Sequence, residues 1–208
     1  MDWLFQSAFN FIQSEFTLSS GIAVIVCTLA VRLILLPLGF ASLKQTFANS
    51  QKMAQIKPEI EQLKDKYQTD PVKQSQCLME LYKANGISVM NKSNLINMVI
   101  QGVVGIFMFQ VINGALLSGR FAWISDIAKS DVLLSVGIAF VTGLSMYFMP
   151  STAESVNYLM MAIISVVCLI SLLNVSSAVG LYWGTTSVVS LLQSMAAKFI
   201  FKNKPAIA

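Results

Sequence analysis

GIAVIVCTLAVRLILLPLGFASL, residues 21–43, decides the fold. A bilayer span needs about 20 predominantly apolar residues, and this run reaches that length with one charge, Arg32, close to its midpoint. A guanidinium at the centre of a span costs about 2.5 to 3.5 kcal/mol on insertion scales, so something must offset it. Arg32 either reaches for a headgroup layer, its alkyl stem covering apolar surface, or serves a function inside the membrane. Its central position makes the reach long and favours function.

Composition points the same way. Of 208 residues, 55% are hydrophobic and 12% charged, which is too apolar for a soluble domain. Cys27, Cys77 and Cys168 have no paired spacing, so they imply neither a disulfide framework nor a metal site. With no histidine and no close Asp or Glu cluster in the apolar runs, the groups for acid–base or metal chemistry are missing. The chain reads as a non-enzyme with no metal and no cofactor.

Working outward, residues 1–20 place Phe5, Phe9, Ile12 and Phe16 at helical spacing with Gln6, Asn10, Gln13 and Ser14 between them, an amphipathic helix. Its start carries Asp2 and Glu15 and no base, unlike a secretory signal. The expectation is a retained helix, lying in the membrane interface with Trp3 as anchor or capping the bundle.

After the first span, residues 44–92 turn polar and read as two helices joined at residues 68–71. Asp70 fits an N-cap, Pro71 the first helical position and Gly86 the stop. Ile56, Ile60, Leu63 and Tyr67 on one arm and Val72, Met79 and Tyr82 on the other can face each other as an antiparallel hairpin. Pro58 is expected to kink its arm rather than end it. The hairpin lysines, with Lys57, Lys64, Lys66 and Lys73 as candidate contacts, are offset by Glu59, Glu61, Asp65, Asp70 and Glu80. Such a mixed face is either solvated surface or a contact for anionic headgroups or nascent-chain machinery.

Four further apolar runs occupy residues 95–118, 132–149, 157–173 and 178–201. The predicted fold is therefore an all-α membrane protein: an interfacial helix (1–20), a first span (21–43), a cytoplasmic helical hairpin (44–92), a core of four more spans (93–201) and a basic tail (202–208). Eleven bases lie on the side of the hairpin and tail, against Arg120 and Lys129 on the other. The positive-inside rule places the hairpin and C-terminus in the cytoplasm and the N-terminus outside.

None of the five spans contains Asp or Glu, so Arg32 has no intramembrane carboxylate from its own chain. The polar groups available are Thr28, one turn earlier, Gln101, and the Thr/Ser/Gln face of the last span, which carries Thr186 and Gln193. Singly, such residues are as often helix–helix glue. Together with an unpaired arginine they favour a water-filled cavity holding a positive charge, which would ease a polar or acidic peptide part-way into the bilayer.

The chain also resembles the YidC family of membrane protein insertases (Oxa-type) over nearly its whole length. The resemblance rests on V-R-L-x-L-L-P-L at 31–38, M-x-x-I-x-P-E-I-x-x-L-x-x-K-Y at 53–67, Asp70-Pro71, L-Y-K-x-x-G at 81–86, F-x-W-I-x-D at 121–126 and L-Y-W at 181–183, with Gln193 ten residues on. It implies that Arg32 lines a groove open to cytoplasm and lipid but closed outward, with Thr28, Gln101, Tyr182 and Trp183 at matching positions, and that the hairpin helps recruit substrates. Ser88-Val89 stands where the family has Asn-Pro, the usual Gly-Cys-x-Pro before the second core span is absent, Val103 replaces a proline, and Ser176-Ser177-Ala178 replaces Pro-Ala-Gly. These losses predict straighter, less constrained span starts and mark a divergent member. With no large outer domain or lipobox cysteine before the first core span, it resembles the bare core.

The leading expectation is an insertase that moves client transmembrane segments from the cytoplasm into the bilayer through a hydrophilic groove centred on Arg32, without nucleotide. The alternatives are a dedicated assembly chaperone for a narrow set of partners and a small transporter subunit binding an anionic solute at Arg32. No inverted repeat supports the transporter. The implied partners are nascent or newly made membrane proteins and the lipid bilayer, with a ribosome or Sec-type translocon beside them and no direct nucleic-acid recognition. Lack of a transit peptide points to a bacterial plasma (inner) membrane.

Overall fold

The computed structural model describes residue 7 and residues 19–88, 92–114, 117–149 and 158–201. The tail at 202–208, the linker at 150–157 and nearly all of the helix expected over 1–20 lie outside the described residues. Among those described there are seven helices: α1 (Ser20–Gln55), α2 (Lys57–Lys66), α3 (Pro71–Ala84), α4 (Lys92–Gly114), α5 (Val132–Phe148), α6 (Tyr158–Leu173) and α7 (Ser177–Phe201). The β-structure among them is one isolated bridge between Phe121 and Ile124. Two helices, α1 and α4, are long and apolar enough to cross a membrane; α5 and α6 are apolar but only 17 and 16 residues long.

The first helix does not stop where its sequence turns polar. It runs 36 residues, about 54 Å at 1.5 Å per residue, well beyond a hydrocarbon core of about 30 Å. Pro37 lies inside it and deprives the Leu33 carbonyl of its helical donor without ending the helix. Pro58, expected to kink its arm, instead marks a break. α1 ends at Gln55, and α2 starts at Lys57 with the proline in its first turn, where a missing N–H is harmless and the ring meets no preceding turn.

The two short helices α2 and α3 pack together across the turn at 67–70. Asp70 caps α3 by accepting from the Lys73 N–H at 3.0 Å. Gly86, at φ +61°, closes it: the Ile87 N–H reaches the Tyr82 carbonyl and the Gly86 N–H that of Lys83, the paired bonds of a Schellman end. Ile56, Ile60 and Ile87 form the small core, with Met53, Leu78, Leu81 and Tyr82 around it. Of the stripe expected on the second arm, Tyr82 faces this core and Val72 and Met79 do not. Leu78, Leu81 and Tyr82, three and four apart, face α2, while Val72 and Met79, on another face of the helix, are exposed.

In the main bundle α7 is central, packing along both α1 and α5, with α6 on α5 and α4 on α1. Small residues permit the close crossings. A Cβ on Gly184 would lie 3.0 Å from Ile138, one on Gly180 3.1 Å from Leu134, and one on Gly143 2.7 Å from the Ser165 hydroxyl, the kind of contact that holds helices together where lipid supplies no hydrophobic drive. Thr142 and Ser187 add a hydrogen bond of 3.1 Å between α5 and α7.

Residues 117–131 seal one end. Phe121 and Ile124 exchange backbone bonds of 3.0 and 2.8 Å. The Asp126 carboxylate accepts from the Gly119 and Ala128 N–H groups, and Ile124 and Ile127 are buried with Ala23, Val24, Met108 and Val179. The carbonyls of Lys129 and Ile127 satisfy the first N–H groups of α7, those of Ser177 and Ala178. Asp131 caps α5 at the Leu134 N–H, 2.7 Å away. The unpaired donors of two helix starts are met by one linker.

Candidate functional site

Arg32 sits on α1 with 9% of its surface exposed. Its Nη1 donates to Gln101 Oε1 of α4 at 2.6 Å, and its Nε to Thr186 Oγ1 of α7 at 3.4 Å. The guanidinium therefore lies where three helices meet, bonded by two neutral acceptors. A guanidinium carries five N–H donors, and among the described residues no carboxylate pairs with it. The positive charge is held in place but not neutralised.

The structure brings some of the expected residues to this point and leaves others apart. Tyr182 lies beside Arg32 and Thr186, and its hydroxyl would stand 3.6 Å from a Cβ on Gly105 of α4. Thr28 is 1% exposed and spends its hydroxyl on its own helix, donating to the Val24 carbonyl at 2.7 Å. Trp183, about 100° further around α7 than Tyr182, is exposed. Gln193 lays its amide 3.3 Å from where a Cβ on Gly39 would be, at a crossing of α1 and α7 two turns from Arg32.

The four lysines singled out on the hairpin sit away from the guanidinium. Lys57 pairs with Glu61 at 3.7 Å and Lys73 with Asp70 at 3.6 Å, all well exposed, which makes each pair worth little. Lys66 lies over the Tyr67 ring. The Lys64 carbonyl accepts from Gln74 Nε2 at 3.0 Å, tying α2 to α3.

Sequence reasoning missed the polar edge that leads from the guanidinium along α4. Gln101 Nε2 donates to Asn97 Oδ1 at 3.3 Å. One turn further, Asn94 accepts from Ser42 Oγ at 2.7 Å and donates to Thr46 Oγ1 at 3.3 Å. Buried Asn49 donates to the Ser88 carbonyl at 2.9 Å. Asn94, Asn97 and Gln101 stand three and four apart, a spacing that puts them on one helix edge and could have revealed them.

A family model described as 60Kd inner membrane protein matches residues 11–204. The chain belongs to that family. It is similar to the membrane protein insertase YidC of Clostridium tetani, 29% identical over 190 residues covering 86% of this chain and 82% of the relative. It is similar also to the protein of that name in Staphylococcus carnosus, 26% identical over 210 residues (94% and 72%), and in Staphylococcus aureus, 25% over 218 residues (98% and 72%). The 60Kd inner membrane protein match takes in every helix from α1 to α7, so the buried guanidinium and its polar neighbours all lie within the family's region.

Proposed function

We propose that this chain is a membrane protein insertase of a bacterial plasma membrane, and that Arg32 is the charge on which it works. The supporting observation is a guanidinium that, among the described residues, is bonded to the neutral oxygens of Gln101 and Thr186 and to no carboxylate, in a family member similar to proteins named membrane protein insertase. α1, α4, α5, α6 and α7 form five spans; α2 and α3 form a hairpin in the cytoplasm. The N-terminus lies outside, the C-terminus within, and the linker at 117–131 seals the outer end.

In this scheme a client segment approaches from the hairpin side, and its short polar or acidic end is drawn toward Arg32. At roughly 6 Å and an effective dielectric constant of about 20, the attraction between the guanidinium and a carboxylate is about 3 kcal/mol. That is comparable to the cost of bringing one charge to the helix centre, so the client's charge enters at little net expense. Its apolar helix then passes into lipid, and burial of about 20 apolar residues drives the step. Tyr182 and Thr186 line the groove beside the charge, with Trp183 around α7 from Tyr182 and Gln193 two turns further along the helix. The test is insertion of a single-span client into liposomes containing the purified chain, read by protection of its translocated end from added protease.

A further inference from the structure

The bond between Arg32 and Gln101 has an orientation that chemistry fixes. A guanidinium has no acceptor, so Gln101 must turn its carbonyl oxygen toward Arg32, as it does at 2.6 Å. Its NH2 then points along α4, where Asn97 accepts it at 3.3 Å. Deprived of that acceptor, the amide keeps its oxygen toward the cation but loses the bond that fixes its rotation, and the charge-assisted bond is held less firmly. Asn94, on the same edge, is tied to Ser42 and Thr46 of α1 and sets how α4 lies on α1. Asn97 holds the Gln101 amide at the rotation in which its carbonyl meets the arginine.

We propose that Asn97 is a positioning residue for the Arg32 site. By accepting from Gln101 Nε2 it fixes the rotation of the amide whose carbonyl meets the guanidinium, which stays at mid-span with its remaining donors available to an acidic client group. This rests on the reading of Arg32 as the charge that draws the client. Asn97 acts through Gln101 and not on the client.

The chain has two arginines, Arg32 and Arg120, so a protein labelled with 15N-arginine in lipid nanodiscs gives two resolvable sets of guanidinium signals. Asn97→Ala is expected to speed hydrogen exchange of the Arg32 N–H groups about fivefold, the loss of one ordinary hydrogen bond, and to leave Arg120 unchanged. Asn97→Leu, which fills the space without accepting, should do the same, and Asn97→Asp, which keeps an acceptor, should hold the rate near wild type. In a Gln101→Leu background Asn97→Ala should add nothing. With purified protein in liposomes, Asn97→Ala should lower insertion of an acidic-tailed client about fivefold and leave a neutral-tailed one unaffected. Unchanged Arg32 exchange in both Asn97→Ala and Asn97→Leu, or an effect of equal size in the Gln101→Leu background, would overturn the proposal. Faster Arg32 exchange with wild-type insertion of the acidic client would uphold the positioning role, and what fails is then the attraction of clients to Arg32.

Discussion

Arg32 of α1 donates to the side-chain carbonyl of Gln101 on α4 at 2.6 Å, a charged donor on a neutral acceptor at the depth of a membrane span. A neutral partner is chemically consequential. A carboxylate at position 101 would cancel the charge, and an apolar residue would leave it without its shortest hydrogen bond.

Gln101→Glu and Gln101→Leu should therefore act in opposite directions on stability. The glutamate supplies a charge-assisted pair and should raise the thermal midpoint. Leucine strands a buried donor and should cost about 1 to 3 kcal/mol. Both should lower insertion of acidic-tailed clients, the first by neutralising Arg32 and the second by releasing it. Paired thermal unfolding and liposome insertion on the two variants check this. A glutamate variant that inserts acidic clients as well as wild type would contradict it.

Gly21 faces the Phe121 ring so closely that an added Cβ would lie 2.5 Å from a ring carbon. Gly21→Ala is expected to displace the linker at 117–131 and to destabilise the chain by about 1 to 3 kcal/mol. Thermal unfolding in detergent measures it; a wild-type midpoint would mean that the linker moves aside freely.

The hairpin hangs on a few isoleucines, of which Ile60 is 1% exposed. Ile60→Ala should cost about 2 to 4 kcal/mol, and because its neighbours belong to α2, α3 and the end of α1, the loss should be local. Hydrogen exchange is expected to quicken across residues 57–87 and stay unchanged in α5 and α7. Faster exchange throughout would show that hairpin and bundle unfold together.

Asp131 both caps α5 at Leu134 and accepts from Trp123 Nε1 at 3.3 Å. Asp131→Ala should cost about 1 kcal/mol and Asp131→Asn much less, since an amide oxygen caps nearly as well. Equal losses in the two variants, measured by thermal unfolding, would mean that the carboxylate charge matters more than the cap.

The apolar helices were readable because length and hydrophobic runs agree along the chain. α5 begins at Val132 and α7 at Ser177, at or within one residue of where their apolar runs begin. Other features were hidden for physical reasons. Between Gly39 and Pro58 no glycine or proline interrupts the chain, so the backbone of α1 continues where the side chains turn polar; a change in polarity sets no helix boundary without a breaker. On α3 the apolar residues Val72, Leu78, Met79 and Leu81 span more than one face, and only packing selects among them. At the site, a guanidinium in an apolar run stands out by its cost, and Gln101 and Thr186 follow from the need for partners. Asn97 makes its contact with another amide of its own helix, and from sequence an asparagine in a span reads equally as helix–helix glue.

The central claim is that Arg32 draws clients into the membrane by charge. Its most direct test is insertion into liposomes of one single-span client carrying either an acidic or a neutral tail, with wild type and Arg32→Ala compared at equal folded protein. For an attraction of about 1 to 3 kcal/mol, wild type should protect the acidic tail from protease, and Arg32→Ala should reduce that protection roughly five- to a hundredfold with much less effect on the neutral tail. Equal reduction for both tails, or none for either, would contradict the claim.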